Sequence, residues 1–109
     1  MPLELRLEAF PPAQQRAARA VLKLVGRKPT IAIEAVDVGV FVKRERTIIE
    51  LRPKTKWLSM SIVTNAPIDD PRITRTYELS RGYCYFLRLH DAQDVDDTVR
   101  GWIRAALQA

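Results

Sequence analysis

YELSRGYCYFLRLHDAQDVDDTVRGWIRAAL, residues 77–107, encodes a strand, a turn and a helix in succession. Tyr83 to Leu89 is apolar at nearly every position, which predicts a strand with something packed over it. Ser80-Arg81-Gly82 before it has turn composition. After it, Val95, Val99, Trp102, Ile103, Ala106 and Leu107 recur at helical spacing and form one apolar stripe. Asp94 suits the helix N-cap, and Asp96 and Asp97 fall where the helix dipole favours anions. Trp102 lies on the stripe and is expected in the core.

Working back toward the N-terminus, the period alternates between two and 3.6. Trp57 to Val63 predicts a strand with Leu58, Met60 and Ile62 inward and Ser59 and Ser61 outward. Thr47 to Arg52 predicts another, with Ile49 and Leu51 on one face. Val40 to Lys43 and the Ile31–Glu34 stretch predict two more, separated by an Asp37-Val38-Gly39 turn. Arg44-Glu45-Arg46 and Pro53-Lys54-Thr55-Lys56 are expected connections. Asn65 to Arg75 has loop composition, and Thr76 to Leu79 fits the start of an edge strand. Ala13 to Val25 predicts a helix, with proline before it and Gly26 as its left-handed cap. Leu3, Leu5 and Leu7 alternate with charged residues, which fits a short strand; the same residues also fit a helical lead-in.

The expectation is an α+β domain over residues 1–109: roughly five antiparallel strands, flanked by an N-terminal and a C-terminal helix packed on one face. A chain of 109 residues with 47% hydrophobic content suits one core. The single cysteine excludes an internal disulfide. Neither a signal peptide nor a membrane span is evident, so a cytoplasmic protein without a membrane role is expected.

The net charge of +5 is unevenly spread. Lys43, Arg44, Arg46, Arg52, Lys54 and Lys56 cluster against Glu45 and Glu50, with Trp57 beside them. Cations on turns reach phosphates, and a neighbouring aromatic stacks on bases. The alternative is a solvated sheet edge blunted by charge. Arg72, Arg75 and Arg81 near Tyr77, Tyr83 and Tyr85 form a second candidate, an anion pocket; pairing with Asp69, Asp70 and Glu78 competes with it.

The remaining polar residues carry no reaction. Cys84 lies in an apolar strand pattern and reads as a small buried thiol, since free cysteine usually packs as a hydrophobe; as a nucleophile it would lack a partner, because His90 is roughly 20 Å away along an extended strand. His90 and Asp91 lack the spacing of a metal site. The acidic run Asp91, Asp94, Asp96 and Asp97 lacks the glycine and glutamate of a calcium loop. No phosphate-cradling loop or catalytic dyad is present. No catalytic residue, metal or cofactor is therefore expected.

Residues 39–62, GVFVKRERTIIELRPKTKWLSMSI, and residues 82–107, GYCYFLRLHDAQDVDDTVRGWIRAAL, resemble an uncharacterised small α+β domain family of bacteria and archaea. The resemblance covers about residues 30–108. Members of that family stand alone or are appended to other modules, nuclease-like ones included. The short region before residue 30 departs from many members, and no appended module is expected. The element order is also similar, at the level of fold alone, to YjbR-type proteins, for which DNA binding has been proposed. The resemblance implies no reaction. The expected function is a non-catalytic binding module with nucleic acid as its preferred partner; a protein-interaction or self-association domain, including a homodimer, is the alternative.

Overall fold

Ten structural elements follow one another in the computed structural model, which describes residues 1–108. They are α1 (Leu3–Glu8), α2 (Pro12–Val25), β1 (Ala32–Val36), β2 (Gly39–Lys43), β3 (Thr47–Pro53), β4 (Leu58–Thr64), β5 (Ile73–Glu78), β6 (Tyr83–Leu89), a 3-10 turn (Ala92–Asp94) and α3 (Asp97–Gln108). The six strands form one antiparallel sheet in the order β1-β2-β3-β4-β6-β5.

The α+β class stands, and the strand count is six rather than five. The sixth strand is β5, an edge strand where Thr76 to Leu79 was expected to start one, but it begins at Ile73, inside the stretch expected as loop. The expected N-terminal strand is the helix α1: Leu7 is buried in the core, while Leu5 is exposed. Pro11 and Pro12 do not merely end α1. Pro12 opens α2, where a missing N–H costs nothing. Gly26 closes α2 with a φ of 62°, and its N–H donates to the Leu22 carbonyl at 3.0 Å.

Strand alternation divides the sheet into two faces. The inner face carries Val40, Val42, Ile49, Leu51, Leu58, Met60, Ile62, Leu87 and Leu89. Registered pairs such as Ile49 with Ile62 and Met60 with Leu87 put them side by side. All are essentially inaccessible to solvent and share one core with Ala17, Val21 and Val25 of α2 and with Val99, Ile103 and Ala106 of α3. The stripe on α3 is thus confirmed except at Trp102, which is half-buried at the margin of the core.

The helix starts differently from the expectation. Asp96 is the cap: its carboxylate accepts from the Val99 N–H at 2.9 Å. Asp94 instead accepts from the His90 backbone N–H at 2.7 Å, and Asp91 caps the 3-10 turn through the Ala92 N–H. Asp91 also receives both guanidinium forks of Arg16, at 2.9 and 2.8 Å, which ties α2 to the start of the C-terminal segment. The Arg16 hydrogen bonds, then the Ala92 N–H, hold the Asp91 carboxyl down at about 2.

A second tie locks α2 to the sheet. Gln14 is buried, and its side-chain amide donates to the Lys54 carbonyl at 2.6 Å while its oxygen accepts from the Lys54 N–H at 3.1 Å. The β3–β4 turn is thereby fixed against the helix layer.

Candidate nucleic-acid interface

The outer face of the sheet carries no helix. Register sets its occupants in rows. Phe41 pairs with Glu50, Glu50 with Ser61, Ser61 with Phe86, and Phe86 with Arg75. Arg52, Ser59 and Arg88 make the next row toward the β3–β4 turn, and Val63, Cys84 and Tyr77 make a row on the other side.

A β-bulge brings β5 into this arrangement. Ile73 pairs with Leu87 on the inner face, yet Arg75, two residues on, pairs with Phe86 on the outer face. The extra residue, Thr74, inverts the alternation and turns Arg75 and Tyr77 outward.

Arginine and aromatic side chains then stack across the face. The Arg88 guanidinium lies 4.1 Å from the Trp57 ring centroid, Arg52 lies 5.3 Å from Phe41, and Arg75 lies 6.0 Å from Tyr77. Tyr77 and Phe86 meet edge to face at 5.8 Å. Arg75 also donates to the Tyr77 hydroxyl at 3.2 Å. These contacts flatten long side chains against rings and fix the guanidinium planes. Between the Arg52 and Arg75 sides lies a concavity of about 410 Å³, lined by Lys54, Trp57, Phe86 and Arg88 among others. Glu50 is its carboxylate and pairs with Arg52 at 2.7 Å.

The basic run predicted as one hairpin patch is divided by β3. Lys43, Arg44 and Arg46 lie at one end of the strand; Arg52, Lys54, Lys56 and Trp57 lie at or near the other. Lys43 pairs with Glu34 at 2.9 Å, and Lys54 and Lys56 stand exposed on the β3–β4 turn. The second predicted cluster is not a pocket. Arg72 pairs with Asp70 and Asp96 at 3.1 and 2.8 Å and covers Trp102 at 5.1 Å, the loop-staple arrangement. Arg75 belongs to the aromatic platform. Arg81 sits on the β5–β6 turn beside Arg44 and Arg46. The reason is geometric: a strand separates its two turns by its whole length, whereas a sheet unites residues distant in sequence.

Arg88, Phe41 and Phe86 were missed as site residues. Their signal was the period-two spacing Cys84, Phe86, Arg88, which places an arginine on the face opposite Tyr85, Leu87 and Leu89. Cys84 is half-buried on that outer face, not sealed in the core. Burial, then the Glu50 carboxylate, pushes its thiol pKa up, which opposes thiolate formation. His90 is exposed, with its ring edge-on to Trp57 at 6.5 Å. Among the described residues, no three His, Cys, Asp or Glu side chains converge as metal ligands, and no helix is long and apolar enough to cross a membrane.

Comparison with protein-family models, with curated proteins and with solved structures gives no match.

Proposed function

We propose that the chain is a non-catalytic module that binds single-stranded nucleic acid on the helix-free face of its sheet. The observation that carries this reading is the set of three arginines, Arg52, Arg75 and Arg88, each laid on an aromatic ring of one open face. Unstacked bases stack on aromatic rings and on guanidinium planes, and a sheet offers several such surfaces side by side. Lys54 and Lys56 on the adjoining turn supply phosphate contacts. Four cations line this end of the face against the single carboxylate of Glu50. A duplex hides its base faces, so the platform favours single strands over duplexes.

The competing reading is self-association. Tyr77, 48% exposed, and Leu79, 39% exposed, favour it, because they stand on and just after the edge strand β5. A face-to-face symmetric pair would set the arginine rows against each other, since such an interface is self-complementary. An anionic partner relieves that repulsion.

The test is fluorescence anisotropy with short single-stranded and duplex oligonucleotides. With about four phosphate contacts, log affinity for a single strand should fall against log salt with a slope near roughly −2.8. Arg88→Ala should weaken single strands more than duplex, as stacking is worth about 1–3 kcal/mol per base. Absence of binding at about 50 mM salt, or a salt-insensitive dimer, overturns the reading.

A further inference from the structure

The far end of the same face holds a second concavity, of about 520 Å³. Arg44 and Arg46 enter from the β2–β3 turn, Arg81 and Ser80 from the β5–β6 turn, and Asn65 from the end of β4. Ile48 and Val63 form its apolar floor, and Glu45 is its one carboxylate. Backbone packing holds the β5–β6 turn against the end of β4. Gly82 has a φ of 89°, and a Cβ there would lie 2.3 Å from the Thr64 carbonyl oxygen. Only glycine permits that approach, which sets Arg81 beside Asn65.

We infer that this concavity is a phosphomonoester site, separate from the aromatic platform. Three guanidinium groups and one carboxylate line the concavity. A phosphomonoester carries about −1.5 to −2 near neutral pH and three acceptor oxygens, enough for the forks of both Arg46 and Arg81, whereas a carboxylate brings one charge and two oxygens. Guanidinium forks bind phosphate oxygens two at a time. Asn65 and Ser80 add neutral donors, and the apolar floor strengthens each charge-assisted bond by excluding water from one side. Among the described residues, neither Arg46 nor Arg81 forms an ion pair with the protein.

The phosphate has two sources, a free mononucleotide or the end of a strand. The floor residue Ile48 and Arg52 of the platform are four positions apart on β3, roughly 14 Å. That is about four nucleotides of a stacked strand at 3.4 Å each. Resting on the single-strand reading above, the concavity would therefore hold the terminal phosphate of a strand lying across the platform, and so orient it.

Two titrations separate the possibilities. In the first, adenosine 5′-monophosphate, inorganic phosphate and adenosine are added to isotopically labelled protein and amide shifts are recorded. The monophosphate and phosphate should shift Arg46, Asn65 and Arg81, and adenosine should not. The Arg46→Ala/Arg81→Ala protein, its fold checked by circular dichroism, should bind the monophosphate about tenfold more weakly. Unmoved amides, or equal affinity in the double variant, overturn the site. In the second, single strands carrying a 5′-phosphate, a 3′-phosphate or neither are compared. One phosphorylated end should add affinity that the double variant removes, while Arg88→Ala weakens all three strands alike. If the monophosphate binds and no strand does, the phosphate site stands and the platform reading falls. If strands bind alike and the monophosphate does not, the platform stands and the phosphate site falls.

Discussion

Individual side chains at the joints of this molecule have measurable signatures. The Asp91 carboxyl is held at about 2 by Arg16 and the Ala92 N–H, below the usual carboxylate range. A depressed folded-state pKa stabilises the protein above the unfolded value, near 4, and that contribution disappears as pH falls through about 2. The melting temperature of Asp91→Asn should therefore lie below that of the parent at pH 7, and the gap should narrow between about pH 4 and 2. A gap independent of pH would mean that Asp91 acts by packing alone. Cys84 supplies a second signature. It lies on the open face between Val63 and Tyr77, half-buried with a raised thiol pKa. A thiol reagent should label it slowly in native protein and quickly in denaturant. A saturating single-stranded oligonucleotide should slow native labelling further, because the strand covers that face; unchanged labelling would place the strand elsewhere.

Between elements, the helix–sheet seam decides which substitutions matter. Ile103→Ala removes a fully buried side chain and should cost about 2–5 kcal/mol. Trp102 is half-buried under Arg72, so Trp102→Ala should cost less despite the larger side chain. Thermal or urea denaturation of both variants gives the order; the reverse order would put Trp102 in the core. Gln14→Ala should cost about 1–3 kcal/mol, since it removes both hydrogen bonds that tie the buried Gln14 amide to the Lys54 backbone. These elements differed in how readable they were. The α3 stripe and the alternation of β4 were plain, because each has one wet side and one dry side. Strand β5 was not, because its bulge breaks the period on which recognition depends and nearly all of its residues are exposed. Helix α1 fits a strand as well as a helix in sequence because six residues hold fewer than two helical turns, too few for period 3.6 to show against period two. The site was legible only in its residue types. Which arginines meet depends on strand order, and β6 lying between β4 and β5 has no local sequence signal.

For the whole molecule, the sheet order has a consequence in time. Strands β1, β2 and β3 each pair with their immediate successor, whereas β6 must find β4 across the intervening loop and β5, with Leu58 meeting Leu89. Closing such a long loop costs more entropy than forming a hairpin, so the β5–β6 hairpin should dock after the first four strands have paired. Both proposed binding regions straddle that late seam. The platform takes Arg52 and Trp57 from the early part and Arg75, Phe86 and Arg88 from the late part, and the second concavity joins Arg46 to Arg81 in the same way. A chain caught half-assembled, during synthesis or after thermal damage, would carry the cations without the surface that arranges them. Ligand capture would then report that the last hairpin has arrived, and a bound ligand would hold that hairpin in place against departure.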